Sequence, residues 1–149
     1  MTSDNSSILF YRVSEAYGFM SNFARYPIAL DGQVWPTSEH YFQAQKFAVE
    51  PTKEQVRAAP SPGEAARLGR TLPGIRSDWE TIRDDVMLKA LRAKFAQHAD
   101  LGRLLVGTGG QRLIEHTPND NYWADGGDGS GRNRLGELLM QVRDELREG

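Results

Sequence analysis

Glu39, Gln43 and Lys46, in the segment WPTSEHYFQAQKF from Trp35 to Phe47, put a carboxylate, an amide and an amine at positions i, i+4 and i+7. On a helix capped by Thr37 or Ser38 these positions lie one above another on a single face. A carboxylate at such a place can carry a proton to or from a reacting atom, and an amine in a dry pocket can attack as a nucleophile. Tyr41, Phe42, Ala44 and Phe47 are apolar or aromatic, so much of the helix is expected to be buried and the polar stripe to face a cleft. On composition alone the same residues read as an ordinary Glu–Lys pair on a solvated face.

A second cluster lies near the C-terminus, in HTPNDNYWADGGDGSGRNR. Gly126 and Gly131 stand at the spacing of a nucleotide-triphosphate loop, but Arg132 and Asn133 occupy the Lys and Ser/Thr positions. The dinucleotide pattern fails because Arg132 stands where its third glycine belongs, and an EF-hand fails because Gly127 replaces a ligand. The remaining chemistry is that of exposed loop amides, including that of Gly127, before a helix starting near Asn133, with Arg132 and Arg134 alongside, which together suit a single phosphate. Trp123 and Tyr122 could stack a heterocyclic base beside it, and Asp125 is the carboxylate best placed to face a ligand. The plainer reading is a loop whose glycines only meet positive φ.

Other catalytic chemistries find little support. His40, His98 and His116 are dispersed, and none has the i+4 partner of a zinc helix, so no metal is expected. There is no cysteine, hence no thiol nucleophile and no disulfide, and no serine sits in a nucleophile elbow. No cofactor is implied.

The elements that must position these residues are mostly helical. Ile8 to Val13 reads as a strand, and Ile28 to Trp35 as a second one broken by the Asp31-Gly32 turn. Capping boxes at Thr52 with Gln55, Ser61 with Glu64, and Ser77 with Glu80 predict helix starts, and Gly69 a helix stop. The longest helix is expected from about Trp79 to Gln97, with Ile82, Val86, Ala90, Leu91 and Phe95 as its apolar stripe. Trp79 at its start is core or a ligand platform, and Arg70 a helix-end cation or an anion contact. A short helix from Asp100 to Val106, a strand at Leu113-Ile114 and a last helix from about Asn133 complete the pattern. The fold class is α+β: one mainly helical domain over residues 8–149 with a small N-terminal β-sheet, preceded by a loose tail over 1–7. At 149 residues one core suffices.

The balance of 18 basic and 20 acidic residues gives no reason to expect non-specific attachment to nucleic acid or anionic membrane. The start, MTSDNSSILF, has no basic region before an apolar run, and no segment approaches the ~20 apolar residues that span a bilayer. A cytoplasmic protein is expected.

Ser21-Asn22-Phe23, WPTSEHYFQAQKF, Gly69-Arg70, Trp79, ALRAKF and YWADGGDGSGRNRLGELLM together resemble the NADAR family, and within it the YbiA-like N-glycosidases. The resemblance runs from Phe10 to the last helix. It implies a compact α+β fold and hydrolysis of bonds between a ribose and a nitrogen. In that branch the substrates are ribosylaminopyrimidine 5′-phosphates, early riboflavin-pathway intermediates, cleaved to ribose 5-phosphate and the free pyrimidine. Other branches remove ADP-ribose from guanine in nucleic acid, and a non-catalytic binder of an ADP-ribose-like ligand is a third reading. Carried over, Glu39, Trp79 and Asp125, the acidic residue following Trp123, belong to the site, and Lys46 matches a lysine that attacks the sugar carbon. Asn22, Phe23, Gln43, Arg70, Trp123, Gly127, Arg132 and Asn133 are expected to bind substrate. Ala124 departs from the pattern, where many relatives have glycine.

Overall fold

The computed structural model describes residues 6–149. In chain order it contains β1 (Ser7–Phe10), a 3₁₀ turn (Gly18–Met20), β2 (Ile28–Leu30), β3 (Gln33–Trp35), α1 (Ser38–Ala44), α2 (Glu50–Arg57) and α3 (Pro62–Thr71). α4 (Trp79–Gln97), α5 (Ala99–Val106), β4 (Arg112–Glu115) and α6 (Arg134–Glu148) follow. The α+β class is as expected. Most of the tail expected over residues 1–7 falls outside the described residues, and Ser7 already belongs to β1. The chain forms two compact units, one from 22–97 and one from the flanking segments up to 21 and from 98 onward.

In the inner unit β2 and β3 form an antiparallel hairpin through Asp31 and Gly32, whose φ angles of 55° and 79° suit the twist of a tight two-residue turn. Ile28, Trp35, Tyr41, Phe47, Val56 and Leu68 pack into one apolar cluster, with Trp35 edge-on to Tyr41 at 5.3 Å. The Tyr41 hydroxyl donates to Asp31 Oδ2 at 2.7 Å, tying α1 to the hairpin turn.

Three helix ends differ from their sequence signals. α2 begins at Glu50, not Thr52, because Pro51 sets the first turn and Val49 accepts from Thr52 and Lys53. α3 is capped by Ser61, which accepts from Glu64 N–H, but it runs through Gly69 to Thr71 and ends where Leu72 precedes Pro73 and turns extended. α4 spans the expected residues, but its first turn hangs from the Asp78 carbonyl rather than from Ser77.

In the other unit β1 pairs in parallel with β4, Ser7 opposite Arg112 and Phe10 opposite Glu115. The small sheet is therefore not N-terminal alone: the described strands make two two-stranded sheets. β1 stops at Phe10, short of Val13, because the amides of Tyr11 and Arg12 turn to the Glu15 carboxylate. Leu135, Leu138, Leu139 and Val142 form the buried face of α6, as their spacing predicts.

Lys94 of α4 is fully buried, 5.8 Å and 5.3 Å from the ring centres of Tyr26 and Phe95. Burial pushes its amine from the ordinary 10.5 down to about 7. Between those values the unfolded chain holds the extra proton, so stability rises as pH climbs through this window and falls as pH drops through it. Lys94→Met should flatten that dependence, shrinking the change in melting temperature between neutral and alkaline pH by roughly 5 °C or more. Melts of both proteins near pH 7 and pH 10 check this; an equal difference at the two pH values would refute it.

Candidate active site

The start of α1 is fixed by a buried network. Thr37 Oγ1 accepts from His40 N–H at 3.1 Å and lies 2.8 Å from His40 Nδ1, while His40 Nε2 meets the Ala59 carbonyl at 3.0 Å. The carbonyl can only accept, so the network assigns the ring proton to Nε2, and burial lowers the imidazole pKa, keeping it neutral. Ser38 Oγ donates to Asn22 Oδ1 at 2.8 Å, Glu39 N–H donates to Asn22 O at 3.2 Å, and Asn22 Nδ2 reaches Met87 Sδ at 3.2 Å. Asn22 thus anchors the turn that carries Glu39.

Glu39 and Gln43 are each 8% exposed, and Gln43 Nε2 donates to Glu39 Oε2 at 2.7 Å. This is the i, i+4 contact read from the sequence. Lys46 does not continue it on the same helix. α1 ends at Ala44, the chain turns, and Phe47 bridges to Ile75 while the Lys46 carbonyl accepts from Arg76 N–H at 2.8 Å. The turn leaves Lys46 Nζ 3.4 Å from the Gly69 carbonyl. Burial pushes the Lys46 amine below the usual lysine range; the Glu39 charge opposes this and the Arg70 charge adds to it. Carboxylate, amide, amine and guanidinium are therefore electrostatic neighbours. Trp79 packs on Phe42 of α1 with ring centres 5.0 Å apart, and Phe23 is 40% exposed.

The glycine-rich segment is organised from within. Asp125 is buried; Oδ1 accepts from Thr117 and Gly127 N–H, and Oδ2 lies 2.7 Å from His116 Nδ1. Burial alone would raise its pKa, but these hydrogen bonds outweigh it and hold the carboxyl below its usual range. Both oxygens are thus engaged, and the outward end of this pair is the half-exposed His116 ring. Dispersal of the histidines in sequence hid His116; its position just after β4, nine residues before Asp125, was the available signal.

The amides expected to cradle a phosphate are also taken. The N–H groups of Arg132, Asn133, Arg134 and Leu135 donate to the carbonyls of Asn121, Ala124, Tyr122 and Trp123, and Gly126 and Gly131 donate to Asp120 and Asp125. The start of α6 therefore presents no open row of donors, contrary to the expectation from sequence. Gly126, Gly127 and Gly129 do adopt positive φ, and a Cβ on Gly127 would meet Pro118 at 3.0 Å. The Asn133 side chain is committed to β4, accepting from Glu115 N–H and donating to the Leu113 carbonyl.

What stays outward is Arg132, its guanidinium 5.4 Å from the Tyr122 ring centre, with Tyr122 edge-on to Trp123. If this cation reads a phosphate, Arg132→Ala should raise KM for a phosphorylated ribosylamine roughly tenfold or more and hardly affect its dephosphorylated analogue. Steady-state kinetics on the two compounds check this, and equal losses would make the arginine structural. Among the described residues no cluster of three metal-binding side chains occurs, and no helix is long and apolar enough to cross a membrane.

A family model described as the NADAR domain matches residues 9–147. The chain is 56% identical over 140 residues to N-glycosidase YbiA of Escherichia coli (strain K12), covering 93% of this chain and 88% of that protein. It is 46% identical over 142 residues to Riboflavin biosynthesis protein VVA0006 of Vibrio vulnificus (strain YJ016), covering 95% of this chain and 39% of that longer protein. The NMR structure of the E. coli protein YbiA superposes with a TM-score of 0.90 at 53% identity, covering 99% of this chain and 88% of that one.

Proposed function

This chain belongs to the NADAR family, and we propose that it is an N-glycosidase that hydrolyses the ribose–nitrogen bond of ribosylaminopyrimidine 5′-phosphates. The N-glycosidase activity is that of its relatives' names, and the riboflavin-pathway substrate is supported by the name of the Vibrio relative. The observation that carries the chemistry is the buried Glu39 carboxylate held by Gln43, with the half-buried Lys46 amine in its field.

Cleavage of a ribosylamine needs a proton on the departing nitrogen and relief of the positive charge left at the sugar carbon. Glu39 gives the proton. Neutral Lys46 Nζ then bonds to the sugar carbon as the carbon–nitrogen bond breaks and the protonated aminopyrimidine leaves. A proton from the attached nitrogen passes to the ring oxygen as the ring opens to a Schiff base, which water hydrolyses to ribose 5-phosphate and the free Lys46 amine. Asp125, read from sequence as the carboxylate stabilising the sugar cation, is assigned here to shaping its loop and orienting His116. Trp79 and Phe23 are the aromatic surfaces proposed to take the base.

The deciding assay sets purified protein against a ribosylaminopyrimidine 5′-phosphate and an ADP-ribosylated guanine oligonucleotide in parallel. Turnover of the first alone is expected; preference for the oligonucleotide would move the protein to the ADP-ribosyl hydrolase reading, and turnover of neither would leave a binding module.

A further inference from the structure

Gly69 lies inside α3, where glycine is the poorest helix former after proline, and the chain does not turn there. Its neighbour across the contact is Gln43. A Cβ built on Gly69 would stand 2.0 Å from Gln43 Oε1 and 2.8 Å from Gln43 Cδ, so no other residue fits without moving that amide. Gln43 Oε1 is also buried without a hydrogen-bond partner. Two unfavourable features, a glycine within a helix and an orphan acceptor, thus meet at one contact. Turning the amide over would not relieve them, because its oxygen would then face the Glu39 carboxylate oxygen that Nε2 now meets at 2.7 Å. The orphan oxygen lies instead on the glycine Cα–H, a weak donor that any side chain would cover.

We propose that Gly69 is a positioning residue: the absence of its side chain lets Gln43 lie flat on α3 and present its amide N–H to the Glu39 carboxylate. The helix tolerates a poor former and an unsatisfied oxygen to hold one acid in one orientation. The catalytic consequence rests on the reading of Glu39 as the proton donor; the positioning itself does not.

A double-mutant cycle on the full-length protein separates the two. The ¹³C resonance of the Glu39 carboxyl is titrated in wild type, Gly69→Ala, Gln43→Ala and the double variant, with kcat measured on the ribosylaminopyrimidine phosphate. Lys46, on which the Glu39 charge acts, and Arg70, which acts on Lys46 in turn, are unchanged in all four. Gly69→Ala should raise the Glu39 midpoint as Gln43→Ala does, since each removes the donor to the charged form. The double variant should match Gln43→Ala, because only Gln43 Cβ, 3.3 Å from the added methyl, then remains in its way. If Glu39 is the acid, kcat falls about tenfold or more in Gly69→Ala with KM little changed. An unmoved midpoint in Gly69→Ala, or shifts that simply add in the double variant, would overturn the proposal. A coupled midpoint shift with unchanged kcat, and full activity in Glu39→Gln, would instead leave the positioning intact and overturn the proposed function.

Discussion

Glu39→Gln is expected to fold like the wild type and to lose cleavage by a hundredfold or more, the scale of a placed general acid. The change is nearly isosteric, and the backbone bond from residue 39 to Asn22 O does not involve the side chain. Gln43 can still donate to the new amide oxygen, so the buried pair keeps one good hydrogen bond while losing its only exchangeable acid proton. Stability should therefore change little while kcat collapses. Circular dichroism and a thermal melt, read beside steady-state kinetics, make the test, and turnover near wild type in a folded variant would remove Glu39 from the mechanism.

Treating enzyme and substrate with borohydride should trap the sugar on Lys46, visible as a mass increase on the peptide that contains it. Lys46→Ala should abolish the adduct and slow turnover on the order of a thousandfold, about 4 kcal/mol of barrier. Lys46→Arg should fail as badly, because a guanidinium stays protonated and cannot attack. The pH response has a definite sign. Burial lowers the Lys46 pKa, so the neutral fraction rises with pH and levels off below the range of a free lysine, while adduct formation, which also needs the Glu39 proton, rises with it to a maximum and falls again at higher pH. Glu39 holds some of the charge on the amine, so in Glu39→Gln the rise should move to still lower pH. An enzyme that stays active without Lys46 and leaves no adduct would reduce the mechanism to proton transfer from Glu39 and direct attack by water.

Local signals served where the structure is local. The Thr37 cap, the Glu39–Gln43 contact, the Ser61 cap and the span of α4 all follow from spacing within a few residues. The failures arise where distant chain decides. Nothing near Lys46 says that α1 ends at Ala44, because the bridge from Phe47 to Ile75 ends it. Gly69 looked like a stop because glycine usually signals positive φ; here it answers to a side chain 26 positions earlier, which no pattern around residue 69 encodes. Likewise the Asp125 carboxylate looked available beside Trp123, yet His116, Thr117 and Gly127 engage both its oxygens. Residue type told which chemistry is present; only the hydrogen-bond partners told which groups are still open to a ligand.

The parallel pairing of β1 with β4 also sets an order in time. On the ribosome the first strand emerges about a hundred residues before its partner, a wait of roughly 5–20 s at ordinary rates of synthesis. The apolar cluster of the inner unit is complete once Ala93 has emerged, whereas Ile8 and Phe10 cannot be covered by β4 until Glu115 has. The unit that holds Glu39 and Lys46 can therefore assemble first, while β1 waits as an unpaired strand edge with its own Leu9 and the adjoining Tyr11 exposed. During that interval the nascent chain is most open to mispairing, and a premature stop before Arg112 would make the interval permanent.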